Sequence, residues 1–355
     1  VNVAITGARP AEGDVFALAR RLTGMARLSE PANIEPLAGG KNNRVFRVDP
    51  VNGGPPLVLK CYFNDPRDPR DRRSAEWRFL EHAWAAGLRN IPEPLATEAP
   101  THSALYSFVD GNKLVPGDVT GAHVDAALDF ISAINEPRRV PVVFPPASEA
   151  CFSLSQHLVT IERRLARLTD LEPAVPMRDE AQAFVSRQLG PGWASVKERI
   201  GKAGLDLDIE IGATSQCLSP SDFGFHNALV DNLGRVGFID FEYAGRDDPA
   251  KLVSDFFCQP EIPVPASLHG RFVAKLAERL GLDNAFELRC RLLLDAYRIK
   301  WACIILNDFL PLGAARRAFA DIGDWEQRCA RQLGKAAHCL AQVGTSGHPA
   351  PCQEE

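Results

Sequence analysis

The chain has 355 residues, 45% of them apolar and 24% charged, which is ordinary globular usage and length enough for two domains or one two-lobed unit. A net charge of −5 and a pI near 6.0 supply no basic field for a nucleic-acid backbone, so no nucleic-acid partner is expected. The longest apolar run, Trp301 to Leu306, is far too short to cross a bilayer, so no membrane partner is expected either.

The N-terminal stretch Val1 to Pro10 lacks the basic-then-apolar pattern of a secretory signal. Gly7 is not followed by the further glycines of a dinucleotide loop. Nine cysteines, an odd count with no C-x-x-C pair, argue against zinc and for a reducing, cytoplasmic setting. Residues Glu12 to Thr23 carry Val15, Phe16, Leu18, Ala19 and Leu22 at helical spacing, with Gly24 to close the helix.

From Asn33 the period changes to that of strands. Three antiparallel strands are expected, around Ile34, over Arg44 to Val48 and over Leu57 to Phe63, with the Gly39-Gly40 loop between the first two. In the third, Leu57, Leu59, Cys61 and Phe63 share one face and Lys60 lies on the other. The basic run Arg67, Arg70, Arg72 and Arg73 reads as the solvated start of a helix over Asp71 to Ala86. That helix has Trp77, Leu80, Ala83 and Trp84 on its apolar face and Gly87 as its C-cap. Glu76, four residues before Leu80, lies near the edge of that face. Two short strands ending at Ala104 to Val109 precede a break at Asp110-Gly111-Asn112, where the lobe boundary is placed. Beyond it the pattern is mostly helical: Val119 to Asn135, Ser153 to Leu168, Asp179 to Leu189, Gly192 to Ala203, and then about 249–258, 267–280, 286–309 and 322–342.

Between Ser219 and Phe241 the sequence reads as a loop, a short strand, a turn at Gly234, a second strand and an acid at its exit. Asp222, Asn227 and Asp240 are the oxygen-bearing groups that could hold a hard cation and deprotonate a hydroxyl. Phosphoryl transfer needs those two things and positioning. The five-residue step from Asp222 to Asn227 equals that of the kinase catalytic loop, and Phe241 follows Asp240 as in D-F-G, although Glu242 replaces the glycine. On this reading Asp222 is the base, and Asn227 and Asp240 are metal ligands. Lys60 contacts the α- and β-phosphates, and Glu76 holds Lys60. Gly39 and Gly40 let backbone approach the nucleotide, and Ser107, Phe108 and Val109 form the adenine hinge. Each residue has a plainer reading alone: turn formers, a solvent-facing strand lysine, a hairpin glycine pair, or Glu76 paired with Arg72 or Arg73. His226 is either a satisfied polar residue or a phosphate or substrate contact. The shared chain order is what favours the kinase reading.

On these residues the chain resembles the aminoglycoside phosphotransferase and choline kinase family, a branch of the protein-kinase-like fold, over roughly Asn33 to Leu310. The family's Brenner-type loop falls on Pro220-Ser221-Asp222 through Asn227, and its metal-binding Asp on Asp240 within Ile239-Asp240-Phe241-Glu242. The downstream Gly-Asp-Pro and acidic pattern falls on Gly245, Asp248, Pro249 and Asp255. Pro220-Ser221 stand where the family commonly has His-Gly. The resemblance implies an α+β, two-lobed fold with a small antiparallel-sheet N-lobe and a larger helical C-lobe. Its divisions would be a helical extension (1–32), a nucleotide-binding lobe (33–109), a helical lobe (110–343) containing the 219–242 hairpin, and a mobile tail (344–355). It further implies ATP- (or GTP-) and Mg²⁺-dependent phosphorylation of a hydroxyl on a small molecule: a sugar, an amino alcohol or an aminoglycoside-like acceptor. The acceptor pocket would lie near Asp255, Asp295, Tyr297, Arg298, Lys300, Trp301, Asn307 and Asp308, with Trp301 able to stack on a sugar ring or cap a cation. The rival readings are a pseudokinase that binds nucleotide without transfer, and a protein kinase, against which the lack of an A-P-E stretch after Asp240 speaks.

Overall fold

The computed structural model describes residues 12–37, 43–66, 68–136, 144–311 and 324–345. The N-terminal part is a five-stranded antiparallel sheet in the order β1 (Pro31–Pro36), β2 (Arg44–Pro50), β3 (Leu57–Cys61), β5 (Ser103–Ser107), β4 (Pro94–Glu98). Strand alternation gives its two faces different work. Phe46, Val48, Leu57, Leu59 and Leu105 face outward and pack with Val15, Leu18, Ala19 and Leu22 of helix α1 (Glu12–Met25) in a small core of their own. Lys60 points to the opposite face and is 7% exposed. Helix α1 runs through Gly24, and Arg27 makes the left-handed exit at φ 55°.

Helix α2 (Arg72–Ala85) starts at Asp71, whose carboxylate accepts from the Ser74 N–H at 3.1 Å. It ends in a Schellman arrangement: Gly87 takes φ 89°, its N–H donates to Trp84 O, and the Leu88 N–H donates to Ala83 O. Its buried stripe is Arg72, Glu76, Phe79, Leu80 and Ala83. The sequence reading put Trp77 and Trp84 in that stripe and missed Phe79; both tryptophans are only partly buried at its edge. The solvated helix start is also corrected. Arg72 is 2% exposed and donates to Asp68 Oδ2 at 2.5 Å, while Arg67 lies outside the described residues.

The link to the helical part is pinned by backbone. Asn112 and Val230 exchange N–H to O bonds of 2.9 and 2.8 Å. Gly111 sits at φ 143°, and a Cβ there would lie 2.9 Å from the Val230 carbonyl carbon. The helical part comprises α3 (Gly121–Ile134), α4 (Leu154–Ala166), α5 (Arg178–Phe184), α6 (Gly190–Gly201), α7 (Pro249–Cys258), α8 (His269–Leu280), α9 (Asn284–Ile305) and α10 (Trp325–Ala341). Helices α5 and α6 are one run joined by a π turn, Val185–Leu189, where the expectation was two separate helices. The wider turn accommodates Pro191, which has no N–H to donate. Gly344 donates to Asp295, and the rest of the expected tail, from 346, lies outside the described residues.

Two short two-stranded sheets sit between the lobes: β6 (Cys217–Ser219) with β9 (Gly245–Asp247), and β7 (Ala228–Val230) with β8 (Val236–Phe238). At the start of α7, Asp248 caps the Ala250 N–H at 2.8 Å. Its other contacts are Arg289 Nε at 2.9 Å and His157 Nε2 at 3.3 Å, and His157 Nδ1 meets the Tyr297 hydroxyl at 2.7 Å. Burial disfavours the imidazolium of His157. Its hydrogen bond with Asp248 and the nearby Cys151 outweigh burial, and the pKa is pushed up to about 9.

Two predictions follow from this scaffold. A Cβ at Gly245 would lie 2.5 Å from the Ala147 N, a backbone atom that cannot swing aside. Gly245→Ala should therefore lower stability by about 1–3 kcal/mol in urea unfolding, and an unchanged midpoint would contradict this close approach. A pKa raised from 6.5 to about 9 means His157 contributes stability fully below pH 6.5 and loses it as pH climbs through 9. The stability gap between wild type and His157→Gln should be widest at pH 6 and narrow towards pH 9; a gap that widens with pH would refute the charged His157.

Candidate active site

A cleft of about 560 Å³ lies between the sheet and the helical part. Lys60, Glu76, Ser107, Phe108, Val109, Asp222, His226, Asn227, Asp240, Asp255 and Trp301 all line it. Residues as far apart in sequence as Lys60 and Trp301 are thus brought to one space. Gly39 and Gly40 lie outside the described residues.

Its centre is the Lys60 ammonium. Lys60 Nζ is 2.7 Å from Glu76 Oε2 and 2.5 Å from Asp240 Oδ1. Glu76 is held from three directions: by Lys60, by the Tyr62 hydroxyl at 2.7 Å, and by the Phe241 N–H, which donates to Oε1 at 3.2 Å. Tyr62 also meets the Tyr106 hydroxyl at 2.7 Å. Burial works against the charge on Lys60, but Asp240, Glu76 and Glu242 together raise its pKa well above the ordinary value. Glu242, at the glycine place of D-F-G, is 2% exposed. It accepts from Asn43 Nδ2 and lies 3.7 Å from Arg72 Nε.

The 219–242 hairpin presents its acids on constrained backbone. Asp240 has φ 69° and a side chain 38% exposed. Asp222 is 36% exposed in its side chain and follows Ser221, at φ 70°. Ser221 N–H donates to Ser219 Oγ at 3.1 Å, and its hydroxyl reaches Ser148 O at 3.5 Å. These contacts support the loop where Pro220-Ser221 replace His-Gly. Asn227 Nδ2 donates to the Asp222 carbonyl at 3.0 Å, which leaves its amide oxygen available. His226 Nε2 is 3.3 Å from Asp222 Oδ1. Gly224 makes this possible: a Cβ there would lie 2.8 Å from the His226 ring.

Towards the hinge the walls turn apolar, with Val45 and Val58 above and Leu229 and Ile239 below, against Ser107, Phe108 and Val109. At the opposite end Asp255, Lys300, Trp301, Asn307 and Asp308 line the cleft as expected. Asp295, Tyr297 and Arg298 do not. Arg298 donates to Asp295 and to Gln342 O on the far side of α9, and Tyr297 is buried against His157. Sequence reasoning missed Asn43, Arg70, Glu149, Arg164, Tyr243 and Lys251, all cleft residues from loops or from other helices. The i,i+4 pairing of Asp247, Lys251 and Asp255 was the one signal that could have flagged Lys251. Among the described residues no group of three or more His, Cys, Asp or Glu is arranged to hold a metal ion. None of their helices is long and apolar enough to cross a membrane.

The comparisons with known proteins fit this architecture. The family model described as the phosphotransferase enzyme family matches residues 33–251, more than half of the chain. No curated protein sequence matches. The fold is similar to spectinomycin phosphotransferase, solved with ADP and spectinomycin, at 12% identity and a TM-score of 0.60, covering 91% of this chain and 97% of that one. It is also similar to an ethanolamine kinase from Plasmodium vivax (11% identity, TM-score 0.57, 94% and 90% covered). A choline kinase from Cryptosporidium parvum gives 14% identity, a TM-score of 0.53, and 87% and 90% coverage. Identities this low speak to the fold, which is the two-lobed protein-kinase-like arrangement; the family match goes further, and the chain belongs to the phosphotransferase enzyme family.

Proposed function

We propose that this protein transfers the γ-phosphoryl group of ATP, with Mg²⁺, to a hydroxyl of a small molecule. The observation that carries the reading is the convergence on one cleft of the Lys60–Glu76–Asp240 bridge with Asp222 and Asn227. Lys60 is held where its ammonium can meet phosphate oxygens, and Glu76 fixes its direction. The apolar slot at Val45, Val58, Leu229 and Ile239 suits a purine base, with backbone at Val109 to read its edge, since the Ser107 and Phe108 N–H groups already donate to Glu93 O and Pro56 O. Asp240 and the Asn227 amide oxygen are hard oxygen donors of the kind Mg²⁺ shares with phosphates, and a site of only two such protein ligands fits that habit. The metal, when bound, neutralises charge on the phosphate oxygens.

Asp222 accepts the proton of the acceptor hydroxyl as that oxygen bonds to phosphorus and the bond to the β-phosphate oxygen breaks. His226 at 3.3 Å orients the Asp222 carboxylate. Nucleotide lies towards the hinge and acceptor towards Asp255 and Trp301, with Asp222 between them. We assign residues 33–109 to nucleotide binding and 110–343 to catalysis and acceptor binding.

Asp222→Ala should lower turnover by about 10²–10⁴ in a coupled ADP-release assay with any competent acceptor; near-wild-type turnover would defeat the base assignment. Asp240→Ala should abolish Mg²⁺-dependent nucleotide binding measured by calorimetry, and unchanged affinity would count against its metal role. Nucleotide binding without transfer across a broad acceptor panel would favour a pseudokinase.

A further inference from the structure

We propose that the acceptor is a neutral or anionic hydroxyl compound, of the polyol or sugar-acid class, and not a cation. This rests on the phosphotransferase reading above and concerns the end of the cleft beyond Asp222. A cationic acceptor needs either carboxylates or open aromatic faces there; the carboxylates are already engaged, and of the described aromatic faces only Trp301 carries no cation of the protein's own.

The carboxylates come first. Asp255, 4% exposed, takes Lys300 Nζ at 2.9 Å on both oxygens and the Trp301 Nε1–H at 3.0 Å. Lys251 Nζ lies a further 3.9 Å from it. Glu149 is paired with the Arg164 guanidinium. Asp308, 1% exposed, accepts from Gln332 Nε2 at 3.2 Å and lies 3.6 Å from Arg328 Nε. Glu261, on the exposed rim, is engaged as well. An incoming ammonium would have to displace a buried internal partner, leaving that partner's charge uncompensated.

One aromatic face is closed to cations in the same way. The Tyr243 ring carries Arg70 at 5.3 Å and Arg72 at 5.6 Å. Trp301 remains, fixed through its indole N–H to Asp255, which suits stacking on a sugar face. A quaternary ammonium above it would have Lys300 as a close neighbour.

This end is also lined by cations, of which Arg70 is paired with Asp68 and Lys251 with Asp247. Arg70, Arg164, Lys251, Lys300 and Lys335 all line this end. The field they make is read by two neighbours. Partial desolvation raises the carboxyl pKa of Glu149, whose side chain is 35% exposed, yet Arg164, Lys300 and Lys251 bring it down to about 2. Arg167, behind the wall, has its pKa lowered by burial and by Arg164. Like charge brought to such a surface is disfavoured, whereas a carboxylate or a polyol finds donors.

The test is a transfer screen with the full chain and ATP·Mg²⁺, phosphorylated products being read by mass spectrometry. The probes are kanamycin and choline as cations, myo-inositol and glycerol as neutral polyols, and gluconate and glycerate as anions, each set widened by close analogues. The expected result is transfer confined to the neutral and anionic sets. The highest kcat/KM on a cation would overturn the proposal while leaving the phosphotransferase reading intact. Transfer to no set, with nucleotide still bound, would overturn that reading and the proposal with it. In a second measurement, Arg164→Gln releases the Glu149 carboxylate at a guanidinium only 13% exposed. The inhibition constant of kanamycin against the best acceptor should then fall by about tenfold. An unchanged constant in a variant that still binds nucleotide would count against the charge argument.

Discussion

A single buried ammonium holds the two parts of this molecule in register. Lys60 is 7% exposed, and burying a charge to that degree costs several kcal/mol unless partners surround it. Its partners come from different places: Glu76 from α2 and Asp240 from the end of the β7–β8 hairpin. Three local features must therefore agree. Strand β3 must put Lys60 on the face opposite Leu59, α2 must carry Glu76 in its buried stripe, and the chain must turn sharply at Asp240. An apolar contact backs the polar one, since Phe241 stacks on Phe79 of the same helix with ring centroids 4.4 Å apart. Glu76 ties the two together by accepting the Phe241 N–H.

From that bridge the cleft divides into two chemical regimes. Around Asp222 and Asp240 the carboxylates are more than a third exposed and face the space where phosphates would lie. Beyond Asp222 the acids are already occupied: Asp255, buried, by Lys300 and the Trp301 indole N–H, and Glu149, 35% exposed, by Arg164. The same residue type does different work at the two ends because burial and pairing differ. The network Asp247–Lys251–Asp255–Lys300 also fastens α7 to α9, so it sets the shape of this wall as well as its charge.

Much of this was legible in the sequence because the kinase-like signals are local. Asp222 and Asn227 share one loop, Asp240 ends the strand that follows, and Lys60 lies on a strand whose alternation shows its face. The phase of α2 was harder to read. Trp77 and Trp84 are large apolar side chains and dominate a hydrophobic stripe drawn from sequence, yet the helix buries Phe79 and uses the tryptophans at its edge. Arg298 was misplaced for a geometric reason. Residues two apart on a helix lie roughly 200° apart, so Lys300 facing Asp255 requires Arg298 to face the other way. The Asn43–Glu242 contact, 199 residues apart in sequence, and the Glu149–Arg164 pair leave no periodic trace; the first exists only once the lobes are assembled, the second only once α4 packs on the loop before it.

The backbone around the two exposed acids also bears on whether Pro220-Ser221 disables the site. Ser221 and Asp240 are both in the left-handed region, at φ 70° and 69°. Conformations of this kind cost on the order of 1–3 kcal/mol each and persist only where surrounding bonds enforce them. Such bonds are present at both places: Ser219 Oγ and Ser148 O hold Ser221, while Glu76 holds the Phe241 N–H and Asn227 O holds the Ile239 N–H. A loop that had lost its purpose would be free to relax such strain, for example by repacking Ser221 into an extended conformation. Instead, serine hydroxyls and a carbonyl from the 144–150 segment hold the turn that presents Asp222. The proposed base thus sits on a turn that the surrounding bonds enforce.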